Sequence, residues 1–397
     1  MIKCSSLLFT ISALLVLFLP YSDTNGVVVI LLGAGLLCSV FFLVKDKVSS
    51  LNVILLLWLV YSIWYLASSI WSISPDIVYR GIRKENAYAI SAILIGFIFA
   101  NHKINKYKSH FYYMFLASGF IFSLLYIYNS LQMDLEVLNL FVNKQILGVG
   151  DASTFCVIFF SLSFYLFLGR SKYKFTIGVC YQALIAYSAY LTENRMAFVS
   201  FALIYLIYFM IVALKMTWSK RFCLLAVVVP IACSLFFFGF SLKSHQNIDV
   251  ISQVESVSKN DPRMFMWDFY IDKALEKPII GYGAGYVTPS IAFANDFPSY
   301  FYAVNKIHGH NVFLNKQLQM GVVGLALFLL LYGYAFKSAV FPYRRDDLSL
   351  IALLVFVGYF SKSLTDDFFI RNSLIMFWFL VGFFIASKRD KIESESH

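Results

Sequence analysis

Charge is scarce in this 397-residue chain. Only 14% of its residues are Asp, Glu, Lys or Arg, where a soluble globular domain carries about 25%. Beside that shortage stand 60% hydrophobic residues, 42 of them Phe, and a mean hydropathy of +0.74. Together they exclude most water-facing folds, and the same wealth of apolar surface excludes disorder. Cysteine is sparse as well. The 6 cysteines (Cys4, Cys38, Cys156, Cys180, Cys223 and Cys233) have no CxxC pairing or regular spacing, so they read as small packing residues and not as a disulfide frame or metal site. There is no Walker A sequence and no Gly-x-Ser-x-Gly, which leaves nucleotide-driven transport and serine hydrolysis without support. Asp-x-Asp and HExxH are missing too, and no internal repeat is visible.

What is there is a succession of apolar blocks, each near the roughly 20 residues a helix needs to cross a bilayer. They fall at 5–20, 26–44, 51–71, 86–100, 111–129, 151–169, 175–192, 196–214, 222–241, 320–336, 348–364 and 373–387. The expectation is an all-α integral membrane protein of about 12 transmembrane helices, forming a single polytopic domain over 1–397. The first block follows Lys3 but has no small-residue cleavage site before Pro20, so it reads as a retained span.

Loop charge sets the orientation. One alternating set of connections, with the two ends of the chain, carries 18 basic and 6 acidic residues; the other set carries 14 and 16. The first set is therefore expected in the cytoplasm, with both termini. The net charge of +10 is then mostly topology, and no nucleic-acid partner is expected. Most outer connections are short. The exception, 242–319, is a large periplasmic loop with an amphipathic helix expected near 262–277, and loops this long in a compact protein are usually functional. The charged cytoplasmic tail, 388–397, is expected to be disordered.

Basic residues on the outer side break the charge rule. Arg80, Arg83 and Lys84 stand at i, i+3 and i+4, on one helical face just after the third block. Arg195 sits in a minimal turn, Thr192-Glu193-Asn194-Arg195. Arg263 follows Asp261-Pro262, a helix start with Pro at the first helical position. Arg371 lies in the last outer turn, near Asp366 and Asp367. Singly, such arginines snorkel to headgroups or pair with acids. As a set near one large loop they fit a polyanion site, because guanidinium forks match phosphate oxygens two at a time. A diphosphate at the membrane surface is the natural ligand. The sequence Ile307-His308-Gly309-His310-Asn311 leads into the tenth span. Its histidines read as metal ligands, as structural groups, or as a general base for a sugar hydroxyl. The acidic stripe Asp268, Asp272 and Glu276 reads as the solvated face of a helix.

The order of these motifs resembles a known family. Thr192-Glu-Asn-Arg195 lies between two spans, and Arg263-x-x-x-Trp267 and Pro278-x-x-Gly281-x-Gly283 lie in the long loop. His310-Asn311 and Gly321-x-x-Gly324 stand at the return to the membrane. The pattern is similar to the O-antigen ligase and polymerase superfamily of bacterial inner-membrane glycosyltransferases, and length and outer basicity lean toward the ligase. The resemblance implies a Gram-negative inner-membrane enzyme in lipopolysaccharide biosynthesis. Its donor would be O-antigen on undecaprenyl diphosphate and its acceptor lipid A–core, amid membrane lipids. It implies His310 as catalytic histidine, Arg195 and Arg263 as diphosphate-binding, and Arg80 and Arg83 less directly so. His308, Asn311, Lys84 and Asp366 would support the site. No metal or other cofactor is expected, and the transfer would invert the anomeric centre.

Two rival readings stand beside it. A polymerase of the same superfamily differs in phenotype: its loss leaves core capped by one repeat unit, whereas loss of a ligase leaves bare core. A lipid-glycan transporter or flippase predicts ionisable groups near the midplane and Gly/Pro-interrupted spans; here charges gather at span ends.

Overall fold

The computed structural model describes residues 2–21, 25–43, 49–101, 108–131, 149–168, 171–214, 216–218, 226, 228–235, 262–297, 309–341, 347–367 and 371–395. The described residues form helices joined by turns. The chain's apolar stretches form α1 (Ile2–Phe18), α2 (Asn25–Leu43), α3 (Ser49–Ala67), α4 (Pro75–Gly81), α5 (Tyr88–Asn101), α6 (Lys108–Leu131), α7 (Val149–Ser163), α8 (Lys172–Leu191) and α9 (Arg195–Leu214). After the ninth block come α10 (Pro262–Glu276), α11 (Thr288–Ala292), α12 (Val312–Val340), α13 (Asp347–Ser363) and α14 (Arg371–Glu395).

Among the described residues, five stretches are long and apolar enough to cross a membrane: Leu51–Ile70, His110–Leu131, Gly150–Phe167, Arg195–Leu214 and Val312–Val340. This is fewer than the twelve expected. The described apolar parts of α1, α2 and α14 are shorter, at Ser6–Phe18, Asn25–Val40 and Asn372–Ser387. α5 spans 14 residues, and α8 carries Lys172, Lys174 and Gln182. Most of the ninth block lies outside the described residues.

Other boundaries move as well. The tenth span begins at Val312, not 320, because Asn311 caps it. The tail expected to be disordered is helical as far as Glu395. The run from Pro75 to Asn101 changes pitch at a π-helical turn, Ile82–Ala87, before α5.

α5 and α14 form the centre of the bundle. Residues 92–100 and 372–387 are buried on every side. A Cβ on Gly96 would stand 2.1 Å from the Phe379 carbonyl oxygen, and one on Gly382 would stand 2.2 Å from that of Ile93. Only hydrogen at these two positions lets the backbones approach, the usual device where lipid gives helices no hydrophobic reason to associate. Outward, Leu56, Leu59 and Ile63 of α3, Leu124 and Leu125 of α6 and Leu330 of α12 present apolar side chains, the surface of a helix bundle solvated by acyl chains.

The long loop builds a small core of its own. Met266, Tyr270, Tyr282, Phe293 and Phe297 pack with Leu318 of α12. α10 covers 262–276, close to the amphipathic helix expected there, with Asp268 and Asp272 exposed. Glu276 is exposed too but bonded to Lys273 and Tyr282.

Candidate functional site

α12 is interrupted at Gly321, where φ is 63° and ψ is −170°. A break in a membrane helix strands carbonyls that would otherwise be bonded within it. Here the chain Pro278–Gly283 fills the gap. Tyr282 N donates to Leu318 O and Gly283 N to Gln319 O, each at 2.8 Å, and Val322 N donates to Pro278 O at 2.8 Å. Trp64 Nε1 reaches Met320 O at 3.2 Å, and Trp71 Nε1 reaches Ile280 O at 3.0 Å. A Cβ on Gly321 would stand 2.1 Å from the Ile279 carbonyl carbon. The motifs Pro278-x-x-Gly281-x-Gly283 and Gly321-x-x-Gly324 are thus two halves of one joint, which clamps the loop to α12.

The start of α12 is fixed by its neighbours. Asn311 caps it by accepting from Leu314 N at 3.0 Å, while its amide donates to Leu364 O at 3.0 Å. Asn315 Oδ1 accepts from Gly309 N at 2.8 Å, and Trp267 Nε1 of α10 donates to Gly309 O at 2.7 Å. Between these anchors His310 adopts φ 47°, a left-handed conformation uncommon for residues other than glycine and often found at functional sites. Its Nδ1 lies 3.1 Å from Asp366 Oδ1. A carboxylate only accepts, so Nδ1 carries the hydrogen and Nε2 is the basic nitrogen of the neutral ring. Asp366 is buried, and its other oxygen is 4.0 Å from Lys362 Nζ.

Lys362 carries the network to Arg195. Its ammonium donates to Asn194 Oδ1 at 3.1 Å and to Ser153 Oγ at 2.9 Å. Asn194 Oδ1 also accepts from Met196 N at 3.1 Å, capping α9, whose first residue is Arg195. The turn is held by Thr192 Oγ1, bonded to Ala189 O at 2.7 Å, and by Glu193 at φ 51°. Arg195 is half-buried, and its Nε is shielded from solvent without a hydrogen-bond partner among the described residues. A buried N–H left unpaired costs about 1–3 kcal/mol, and an anion would satisfy it.

A second network adjoins the first. Asn315 Nδ2 donates to Asp367 Oδ2, and its neighbour Lys316 pairs with Glu85 at 3.3 Å. Tyr65 donates to Glu85 Oε1 at 3.2 Å. The π-helical turn therefore points Glu85 and Asn86 inward and leaves Arg83 and Lys84 exposed, as is Arg80 on α4. These three make no hydrogen bond or ion pair to the His310 cluster among the described residues. Arg263 lies one turn before Trp267 on α10, but its side chain is outside the described residues, and so is the whole of His308. Among the described residues no three His, Cys, Asp or Glu are grouped to hold a metal ion.

The sequence reading brought out Arg195, His310, Asn311 and Asp366, and the structure joins them. It missed Ser153, Asn194, Lys362, and the pair Glu85 and Lys316. The available signal was an ionisable residue inside an apolar run, as at Lys362 in 348–364, since such groups in a span are usually functional.

Below this cluster an apolar groove of about 470 Å³ runs between α9, α12 and α13. Leu203, Ile207, Tyr332, Phe336, Phe356 and Phe360 line it, and Leu364 closes the end nearest Asn311.

Residues 181–329, which hold Arg195, Arg263, His310 and the glycine joint, match the O-Antigen ligase family. The chain is similar to the O-antigen ligase family over a little more than a third of its length. Three rickettsial relatives carry the name "Putative polysaccharide ligase". That of Rickettsia conorii is 30% identical over 101 residues, covering 25% of this chain and 24% of its own. That of Rickettsia typhi is 29% identical and that of Rickettsia prowazekii 28%, each over 137 residues and 33% of both chains. The alignments thus span between a quarter and a third of the relatives' length. The pair Lys362 and Asp366 lies beyond residue 329, outside the matched region, and completes the cluster around His310.

Proposed function

We propose that this protein is an O-antigen ligase, moving a polysaccharide from undecaprenyl diphosphate to lipid A–core by metal-independent, inverting glycosyl transfer. The observation that carries the reading is a buried Arg195 Nε, without a hydrogen-bond partner among the described residues, on the turn that Asn194 and Lys362 tie to the Asp366–His310 pair. One group awaits an anion; the other offers a base.

The donor's leaving group is a lipid diphosphate, already a stable anion, so it needs charge stabilisation more than a general acid. Arg195 would supply that where water is scarce and fixed donors act most strongly. Arg263, carried on the helix whose Trp267 anchors Gly309, is assigned to the same diphosphate. Arg80 and Arg83, exposed at the same end of the bundle, would attract the anionic headgroups of either lipid substrate. His310 Nε2 takes the proton from the acceptor hydroxyl as that oxygen attacks the anomeric carbon from the face opposite the diphosphate. Asp366 holds the ring and stabilises the imidazolium that forms. The apolar groove beside α9, α12 and α13 suits the isoprenoid chain of the donor, with its diphosphate at the Leu364 end. We place this end of the bundle in the periplasm and both termini in the cytoplasm, because Lys172 and Lys174 of α8 and Lys337 of α12 stand at the opposite ends of their helices.

The test is transfer by the purified protein from lipid-diphosphate glycan to lipid A–core in the presence of a chelator. Product is expected from the wild type, and His310→Ala should lower the rate by about 10²–10⁴-fold, the range for a lost general base. A wild type that forms glycan polymer and no lipid A–core product would make it the polymerase instead. Undiminished transfer by His310→Ala would remove the base.

A further inference from the structure

Lys362 is 0% exposed, on the last turn of the apolar helix α13. A buried ammonium persists only where other groups replace its hydration and answer its charge. The carbonyl end of α13 favours a cation there. Ser153 Oγ from α7, Asn194 Oδ1 from the α8–α9 turn and Asp366 Oδ2 from the turn after α13 do the rest. Cys156 of α7 also faces the ammonium. Two of these partners serve the residues assigned to chemistry: Asn194 fixes the first turn of α9 at Arg195, and Asp366 meets His310 Nδ1.

We propose that Lys362 is a positioning residue that locks the Arg195 turn and the Asp366 carboxylate in register and balances that carboxylate's charge beside His310. The effect on transfer rests on the reading of His310 as a base; the effect on the imidazole itself does not. Methionine at 362 keeps most of the stem's volume and removes the cation. Asp366 then faces His310 with one cation fewer beside it, which favours the protonated ring. Asp367, the other acid of this turn, is bonded to Asn315, and Lys316, a second buried ammonium, is paired with Glu85. Arginine at 362 restores a charge with a different shape.

The test is diethyl pyrocarbonate modification of His310 in the purified full chain, read by peptide mass spectrometry, which separates this histidine from the others. Only the neutral ring reacts. Near pH 6.5, Lys362→Met is expected to slow modification of His310 several-fold, because losing the cation beside Asp366 favours the unreactive protonated ring. Lys362→Arg should stay near the wild-type rate. The double variant Lys362→Met with Asp366→Asn, which removes both charges, should recover most of it and covers the case in which the single variant is too unstable to purify. In the transfer assay the rising limb of the pH–rate profile should move upward for Lys362→Met. A structural lysine would lower activity equally at every pH. Equal modification rates in wild type, single variant and double variant would overturn the proposal. If the wild type transfers no glycan but the modification rates change as expected, the transfer reading fails and the charge balance at His310 stands.

Discussion

At the residue scale, Arg195 and His310 differ in how their chemistry is exposed to substitution. Arg195 stands at the first position of α9, after an asparagine cap that does not depend on its side chain. Its replacement should leave the turn intact and remove only the donor. Arg195→Ala is expected to insert normally and to lose binding of undecaprenyl diphosphate by tenfold or more. Arg195→Lys should recover little of it, since an ammonium carries the charge but not the planar fork that meets two phosphate oxygens. Isothermal titration with the lipid diphosphate would measure both, and a lysine variant with native affinity would reduce the role of Arg195 to charge alone. His310 has less freedom. It holds a positive φ between two anchored neighbours, so its variants are best compared at matched thermal stability.

At the scale of elements, the break in α12 concentrates the cost of change. Gly321 lies in a region of backbone space that is essentially glycine-only, worth about 1–3 kcal/mol of strain for any other residue. An added Cβ would also strike the backbone of Ile279. Gly321→Ala should therefore lower the apparent melting temperature of the purified protein by several degrees and release 278–283 from α12, with increased hydrogen exchange at Tyr282 and Gly283. Unchanged protection there would mean that the joint is not what clamps the loop. The same loop has a milder pH response. Hydrogen bonds from Lys273 and Tyr282 hold the Glu276 carboxyl below its ordinary value of 4.5, a contribution present above that pH and lost as acid protonates the folded group.

This joint also shows what the sequence made legible and why the rest stayed hidden. The glycines, the Trp267 helix and the His310–Asn311 step were visible because each leaves a local mark: a rare residue, a start signal, a motif. The twelve expected spans came from apolar runs alone. That criterion does not see that α5 is preceded by a π-helical turn, or that α12 begins eight residues earlier than its apolar block. Lys362 left a mark in the sequence, an ionisable residue inside an apolar run, but an ambiguous one. A single lysine ending an apolar helix looks like a headgroup anchor until packing shows Ser153, Asn194 and Asp366 around it.

At the scale of the whole molecule, the proposed reaction needs every site element on one side of the membrane. The cluster gathers the start of α7, the turn between α8 and α9, the cap of α12 and the end of α13, and these meet only if the helices alternate in direction. Arg83 lies exposed at that end, just past α4, whereas Tyr173, 84% exposed, opens α8 at the other. Each is a site for a single cysteine in a background freed of the native ones, among which Cys180 is itself exposed. A membrane-impermeant maleimide added to spheroplasts of the expressing cells should label a cysteine at 83 and spare one at 173. Permeabilisation should then expose both. The reverse pattern would put His310 in the cytosol, away from a donor whose glycan is presented to the periplasm, and glycan ligation there would be untenable whatever the geometry of the site.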